Sequence, residues 1–252
     1  MVSVVVPAYD EERALPHTLD ALLRQQGFYE VILVDGGSRD QTRAIAESFG
    51  FLNEAGCSDD VPLVSPPSCQ GRVRNDVPRR VLTAAKGRAS QMNAGARAAR
   101  GEWLLFLHAD TILPVGAIQR LNGLEVDRTV QAGGFMHQFS GDDWRLKWIS
   151  FLDNVRCRCS RIIYGDQALF IRRALFEQIG GFPNQPVLED VALCERIIKV
   201  TAPVLLSPPV VTDARKFVKM GIWQSFLRVL LIILHVEFGL PVLPRIFFQD
   251  IR

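Results

Sequence analysis

Gly101-Glu-Trp-Leu-Leu-Phe-Leu-His-Ala-Asp-Thr111 is the stretch that decides the fold. Trp103 to Leu107 is an uninterrupted apolar run, too short for a typical helix, and reads as a strand buried on both faces. It stops at His108-Ala109-Asp110. An imidazole and a carboxylate at the carboxyl end of a buried strand stand where open α/β sheets bind ligands. On an extended backbone, side chains 108 and 110 point the same way and can approach one cation or one phosphate together. Asp110 has a plainer reading as the cap of a helix across Thr111 to Gly116.

The same grammar extends outward from this strand. Ser3 to Val6 is a β-rich run closed by Pro7, and Leu15, Leu19, Leu22 and Leu23 follow at helical spacing, with Pro16 near the helix start. Glu30 to Asp35 is a second buried strand. Gly36-Gly37-Ser38 is a turn, and Asp40 to Gly50 reads as a helix with Ala44, Ile45 and Phe49 inward. Strand and helix alternating through short loops imply a parallel sheet with helices on its faces. Residues 51–80 break the pattern with Pro62, Pro66, Pro67 and Pro78, and read as an inserted flexible loop. Val81 to Thr83 is a short strand. Gly87 to Gly101 reads as an Ala-rich helix whose small residues permit close packing.

Beyond Asp110 the pattern predicts a helix around Pro114 to Leu124, a strand around Gly133 to Phe139 and a helix over Asp142 to Cys159. Then come a strand at Ala168 to Ile171, a short helix at Ala174 to Ile179, a helix beginning at Glu189-Asp190 and a last strand at Val204 to Leu206. The domain so built covers 1–215. Residues 216–252 form an apolar C-terminal helical appendage, interrupted by Arg228, His235 and Glu237 and too broken to span a bilayer. Its apolar face suits docking on the domain, a homodimer, or peripheral contact with a membrane surface.

Of the 252 residues, 48% are hydrophobic and 22% charged, ordinary values for a globular chain. A net charge of +2 argues against a dedicated nucleic-acid binder. Five Cys without a CxxC pair indicate neither a zinc site nor a disulfide framework. The strand-like start lacks the features of a signal peptide, so the expected location is cytoplasmic, with membrane association open.

The loops at the carboxyl ends of the predicted strands, Pro7-Ala-Tyr-Asp-Glu-Glu12, Asp35-Gly-Gly-Ser-Arg-Asp40, the segment after Thr83 and His108-Ala-Asp110, converge on one cleft. Asp35 can accept a hydrogen bond from the ring N–H of a base, Tyr9 can stack on a base, and Gly36 and Gly37 admit close backbone approach. Neither GxGxxG after the first strand nor GxxxxGK[ST] is present.

Together these motifs resemble the family 2 glycosyltransferases of GT-A fold, a Rossmann-like, mostly parallel α/β sheet flanked by helices. The resemblance runs through Val2–Glu12, Val34–Thr42, Gly87–Gly95 and Leu107–Asp110, then Gly165-Asp-Gln167, Gly180-Gly-Phe182 and Leu188-Glu-Asp190. It is strongest to the Leu-His-Ala-Asp branch, the transferase 2 associated with radical-SAM and selenoprotein domains. It implies a nucleotide-sugar donor, UDP-linked, and an unspecified acceptor. Pro7, Tyr9 and Glu11 match the first nucleotide-contacting loop, and Asp35 matches the carboxylate that reads uracil. Gly87, Arg88 and Asn93 match the segment lining the donor site. His108, Ala109 and Asp110 match the Asp-x-Asp motif, whose last Asp binds a divalent cation, Mn²⁺ or Mg²⁺. Asp190 matches the catalytic base, Glu189 its neighbour, and Arg215 and Lys216 the basic residues near the diphosphate. His108 departs from the family's first Asp; it suits Mn²⁺ better than Mg²⁺ as a ligand, or else contacts the nucleotide or shapes the loop without binding metal. The insertion at 51–80 has no counterpart in the pattern. Trp144, Trp148 and Tyr164 suggest an apolar wall on the acceptor side. A sugar nucleotidyltransferase and a nucleotide-binding pseudoenzyme are the competing classes. The first of these lacks its early Gly-rich phosphate loop here.

Overall fold

The computed structural model describes residues 1–53, 77–185 and 187–237. Its centre is a parallel array. Strand β1 (Val2–Ala8) lies between β2 (Tyr29–Asp35) and β5 (Trp103–Phe106), with β4 (Arg79–Thr83) beyond β2 and β3 (Leu52–Asn53) at the edge. The sheet continues past β5 through β8 (Phe170–Arg172), β7 (Ala132–Phe139), β9 (Val204–Thr212) and β6 (Thr111–Ile112). There β8 is antiparallel to both neighbours and β6 is antiparallel to β9. The sheet is therefore mostly parallel, with two reversed strands in one half.

Every residue of β1, β2 and β5 is buried, because helices cover both faces. The strand period of two sorts the side chains. Val4, Val6, Leu33, Leu105 and Leu107 join α1 (Leu15–Leu23) and α4 (Ala117–Gly123) on one face. Val5, Ile32, Leu104 and Phe106 join α3 (Arg88–Ala98), α6 (Arg173–Gln178) and α7 (Glu189–Ile198) on the other. Helix α3 lies close to the sheet because position 95 is Gly. A Cβ there would stand 2.3 Å from Val5 Cγ1.

Helix α5 (Trp144–Ser160) starts at Asp143, whose side chain accepts a hydrogen bond from the Arg145 N–H. Leu146 and Ile149 of α5 pack with Ala214 and with Ile222 of α9 (Ile222–Glu237), which follows the short α8 (Arg215–Lys219). No helix among the described residues is long and apolar enough to cross a membrane.

Several expectations change. Helix α2 (Thr42–Ser48) buries Thr42 and Ala46, and Ile45 and Phe49 pack partly buried against the core as expected, whereas Ala44 is exposed. The ends of the expected insertion are ordered into β3 and β4, where pairing of β4 to β2 and of β3 to β4 outweighs the Pro-rich composition nearby. Residues 54–76, its middle, lie outside the described residues, as do 238–252 of the C-terminal segment. Strand β9 runs to Thr212, six residues past Leu206, because the β7 ladder carries it over Pro208 and Pro209. Thr111 and Ile112 form a strand, not the helix that Asp110 was expected to cap in the plainer reading.

Candidate active site

The carboxyl ends of β1 and β2 are tied together before any ligand arrives. Gly36 N–H donates to the Ala8 carbonyl at 2.9 Å. Gln91, buried on α3, donates its amide to the carbonyls of Ala8 at 2.7 Å and Val34 at 2.9 Å. Position 36 has no room for a side chain, since a Cβ would meet Gln91 Nε2 at 3.0 Å. The two loops beyond are laced by local bonds. Asp10 N–H donates to Ser38 Oγ, Arg39 N–H to Asp10 Oδ1, Glu11 N–H to Thr42 Oγ1 and Glu12 N–H to Asp40 Oδ2, at 2.8–3.0 Å. Desolvation opposes the charge on Asp40, but these bonds and those from Thr42 prevail and hold its carboxyl below the usual carboxylate range.

Asp35 ends β2 with its side chain fully buried. Its Oδ1 accepts from Ser38 N–H at 3.0 Å and Ser38 Oγ at 2.6 Å. Its Oδ2 has no hydrogen-bond partner among the described residues, although Arg43 Nε approaches to 3.8 Å. A buried carboxylate oxygen without a donor is costly, so this atom is an acceptor awaiting an N–H. Tyr9 stands nearby, one ring face covered by the Lys86 ammonium at 3.9 Å from the centroid. Gly87 caps α3 with φ of 138°, and open space surrounds it. Arg88 is exposed just after it. Pro7 is covered inside β1 and contributes to the strand. Asn93 was expected to line the donor site, but both its polar atoms engage Phe182: Nδ2 donates to the Phe182 carbonyl at 2.8 Å and Oδ1 accepts its N–H at 3.0 Å. It fixes the Gly180-Gly-Phe182 loop.

His108 to Asp110 is a turn, closed by the Thr111 N–H to the His108 carbonyl at 3.1 Å, so the extended geometry expected for these positions does not hold. The turn is held from outside as well. Thr18 Oγ1 donates to the carbonyl of buried Ala109 at 2.7 Å, and Asp213 N–H donates to the Asp110 carbonyl at 3.1 Å. That last bond brings the 213–216 segment alongside Asp110. Arg215 is exposed and pairs with Asp213. The Lys216 side chain lies outside the described residues.

Asp190 joins this turn through Gly165. Asp190 Oδ2 accepts the Gly165 N–H at 2.7 Å, and Oδ1 accepts the Val191 N–H at 2.8 Å. A Cβ on Gly165 would stand 2.4 Å from His108 Cε1 and Nε2 and 3.5 Å from Asp190 Oδ2. The imidazole and the carboxylate therefore flank one backbone position. Glu189, at the same helix start, is buried. Both acids suit the first turn of α7 electrostatically, as the helix-start reading requires. Asp190 reaches beyond that role to Gly165.

Behind Gly165 lies a charged cluster that motif reading did not single out. His137 is buried next to a bulge in β7, with Nε2 3.6 Å from Asp166 Oδ2 and Nδ1 3.9 Å from Asp153 Oδ2. Asp153 pairs with Arg156 at 2.9 Å, and the Arg156 guanidinium sits 3.9 Å from the Tyr164 ring centroid. Desolvation pushes the Asp166 carboxyl above its ordinary range. His137 opposes the shift, and Asp153 and Asp190 add to it. Gln91, Ser38 and Gly165 were also missed as individual contributors. All three lie inside the quoted motifs, but their individual hydrogen-bonding roles carry no signature there.

Trp144 and Trp148, expected on an acceptor wall, stand on the outer face of α5, 67% and 51% exposed. The apolar interior side of that helix is taken by Leu146 and Ile149. Among the described residues no three His, Cys, Asp or Glu form a metal-holding group. His108 and Asp110 nonetheless offer an imidazole and a carboxylate, both half-buried at one turn. That donor set fits a cation that completes its shell with diphosphate oxygens and water, and not a closed protein cage.

The glycosyl transferase family 2 model matches residues 3–54 and 72–180. A PGL/p-HBAD biosynthesis glycosyltransferase of Mycobacterium tuberculosis is 30% identical over 195 residues, covering 72% of this chain and 63% of the relative. The human dolichyl-phosphate beta-glucosyltransferase is 32% identical over 129 residues, covering 48% of this chain and 34% of the relative. Among solved structures, glucosyl-3-phosphoglycerate synthase of M. tuberculosis, in complex with Mn²⁺, UDP-glucose and phosphoglyceric acid, superposes with a TM-score of 0.60 at 16% identity, covering 96% of this chain and 80% of that one. A mannosyltransferase of Pyrobaculum calidifontis, in complex with GDP-Man and Mn²⁺, gives 0.61 at 23%, covering 91% and 61%. These likenesses show the GT-A fold. The strand–loop motifs, the sheet they build and the family match agree, and the chain belongs to glycosyl transferase family 2.

Proposed function

We propose that this chain moves a sugar from a UDP-sugar to an acceptor hydroxyl by metal-assisted single displacement with inversion. The observation that carries the reading is Asp35, buried at the cleft floor with Oδ2 lacking a hydrogen-bond donor. The imide N–H of uracil suits that atom, and Tyr9 offers the base an adjacent ring. The Leu107-His-Ala-Asp110 motif supports placement in the radical-SAM-associated branch.

Leaving-group departure requires charge neutralisation on the diphosphate. Asp110, with His108 beside it, would hold Mn²⁺ or Mg²⁺, which supplies that neutralisation when bound. Arg215 adds positive charge on the segment that Asp213 ties to the Asp110 turn, and Lys216 follows it in sequence. Asp190 takes the proton of the attacking hydroxyl. Each of its oxygens receives one backbone N–H, which fixes the carboxylate plane and leaves a lone pair on each for the acceptor. Glu189 orients the acceptor or its neighbour. One base suffices for inversion. The complexes of fold relatives with Mn²⁺ and nucleotide sugars support this assignment.

Calorimetry with UDP in Mn²⁺, set beside turnover of an isotope-labelled UDP-sugar, tests it. Asp35→Ala is expected to weaken UDP binding by about 1–3 kcal/mol, the cost of losing a charged hydrogen-bond partner. Unchanged affinity overturns the base-reading role, and a preference for GDP redirects the donor class. UDP binding without turnover of any donor favours the pseudoenzyme.

A further inference from the structure

We propose that the outer face of α5, continued by α9, docks on an anionic lipid bilayer. The inference stands on the surface alone and does not depend on the transfer reaction. Trp144, Trp148, Phe151 and Val155 recur at offsets of 4, 7 and 11 residues along α5 and so share one helix face, and all four are exposed. On α9, Trp223, Leu227 and Leu230 repeat the pattern and are exposed too. The Trp144 and Trp223 rings lie 6.5 Å apart, and Trp148 stacks on Phe151 at 5.7 Å, so the two stripes form one surface. Three of the four Trp of the chain stand on it, the fourth being Trp103 in the core. An indole pairs an apolar body with an N–H donor, which is why Trp concentrates at the interface of a bilayer and not in its centre.

Charge selects the occupant. Residues 142–161 and 213–237 carry nine Lys and Arg against five Asp and Glu, a surplus of four, while the whole chain is only +2. Lys147 and Arg158 flank the α5 stripe by helical spacing, and Lys219 is exposed just before α9. Aromatic stripes bordered by cations match a surface of apolar chains beneath anionic headgroups. A second copy of the chain would bring one cation surplus against another. A groove of about 450 Å³ opens beside this face, between the 140–143 loop and the 213–219 segment. Its wall residue Asp213 donates to the Asp110 carbonyl, so docking sets the edge of the candidate active site at the headgroup plane.

The test is flotation of the full chain with phosphatidylcholine vesicles and with vesicles containing phosphatidylglycerol. The expected result is capture by the anionic vesicles and little by the neutral ones. Replacing Trp144, Trp148 and Phe151 together by Ala should reduce capture at least tenfold, with melting temperature and UDP affinity kept. Arg158→Glu should weaken capture by anionic vesicles several-fold. Absence of flotation, or equal flotation of the triple variant, overturns the proposal. So does a dimer seen by light scattering that the triple variant dissociates without any vesicle binding, which would assign the face to a second copy.

Discussion

The five parallel strands β3, β4, β2, β1 and β5 carry loops that bind one another within short reach, whereas the half made of β8, β7, β9 and β6 assembles its polar groups from distant parts of the chain. On the first side Asp35 and Ser38 are three residues apart, and the 9–12 and 36–42 loops meet through backbone N–H groups. On the second side His137, Asp153, Asp166 and Asp190 come from four separate elements and face one another at 3.6 Å and beyond, or through a single backbone N–H. The first arrangement is a pair of loops laced by local hydrogen bonds, in which one oxygen of buried Asp35 accepts none among the described residues. The second is a strained balance of charges in low dielectric, where a change in one group is felt by the others.

The contrast can be broken at several points. The largest effect belongs to Asp190. Asp190→Asn keeps size and polarity but cannot accept a proton, so turnover should fall by about 10²–10⁴, while UDP affinity, set by the other half, stays near the wild-type value. Loss of UDP binding in that variant would show that the two halves are not separable. Glu189→Gln should act on acceptor affinity. If it alone abolishes turnover, the two acids exchange roles.

Asp110→Asn comes next. It should remove the Mn²⁺-dependent gain in UDP affinity measured by calorimetry and leave the metal-free affinity unchanged. A full metal response surviving in the variant would put the cation elsewhere. His108→Ala should cost less than Asp110→Asn if the imidazole only shapes the turn.

Asn93→Ala sharpens the comparison from the structural side. Its amide satisfies two backbone groups of Phe182, and leaving them without partners should cost about 1–3 kcal/mol of stability in a denaturant titration. A variant with unchanged stability but weaker UDP binding would restore Asn93 to the donor site.

The smallest effect concerns pH. Because the Asp166 carboxyl is raised in the folded chain, the folded state holds its proton at pH values where the unfolded state has released it. Stability then declines as pH rises from the ordinary carboxylate range toward the raised value. Asp166→Asn should flatten that part of a melting-temperature profile. A profile unchanged by the substitution would mean that the charge cluster does not act through Asp166.

Legibility in the sequence follows the same division. The buried runs Val4–Val6, Val31–Val34 and Trp103–Leu107 announce their strands because parallel strands covered on both faces are apolar without interruption. Asp35 and Tyr9 are conspicuous because Asp35 follows its apolar run directly and Tyr9 follows within three residues. Asp190 is visible only through resemblance, since a pair of acids at a helix start has an ordinary electrostatic explanation. The His108–Asp110 turn is closed locally by the Thr111 N–H but also pinned by Thr18 and Asp213, far away in sequence, and these distant bonds have no signature in the stretch itself. Gln91 looks like any polar residue in an Ala-rich helix until the sheet ends it bridges are in place. The β9 extension through two prolines also depends on its neighbour, β7, and no local rule anticipates it.

Gly165 has an evolutionary consequence. The imidazole of His108 and the carboxylate of Asp190 meet at a position where even one methyl group does not fit. Substitutions at 108 and 190 are therefore coupled through a shared neighbour, and their effects in a double-mutant cycle should not add. A side chain at 165 would force the His108 ring or the 164–167 segment to move, and that segment carries the N–H bonded to Asp190. Substitutions at 108 and 190 should therefore appear among descendants of this chain as correlated sets and not as isolated changes.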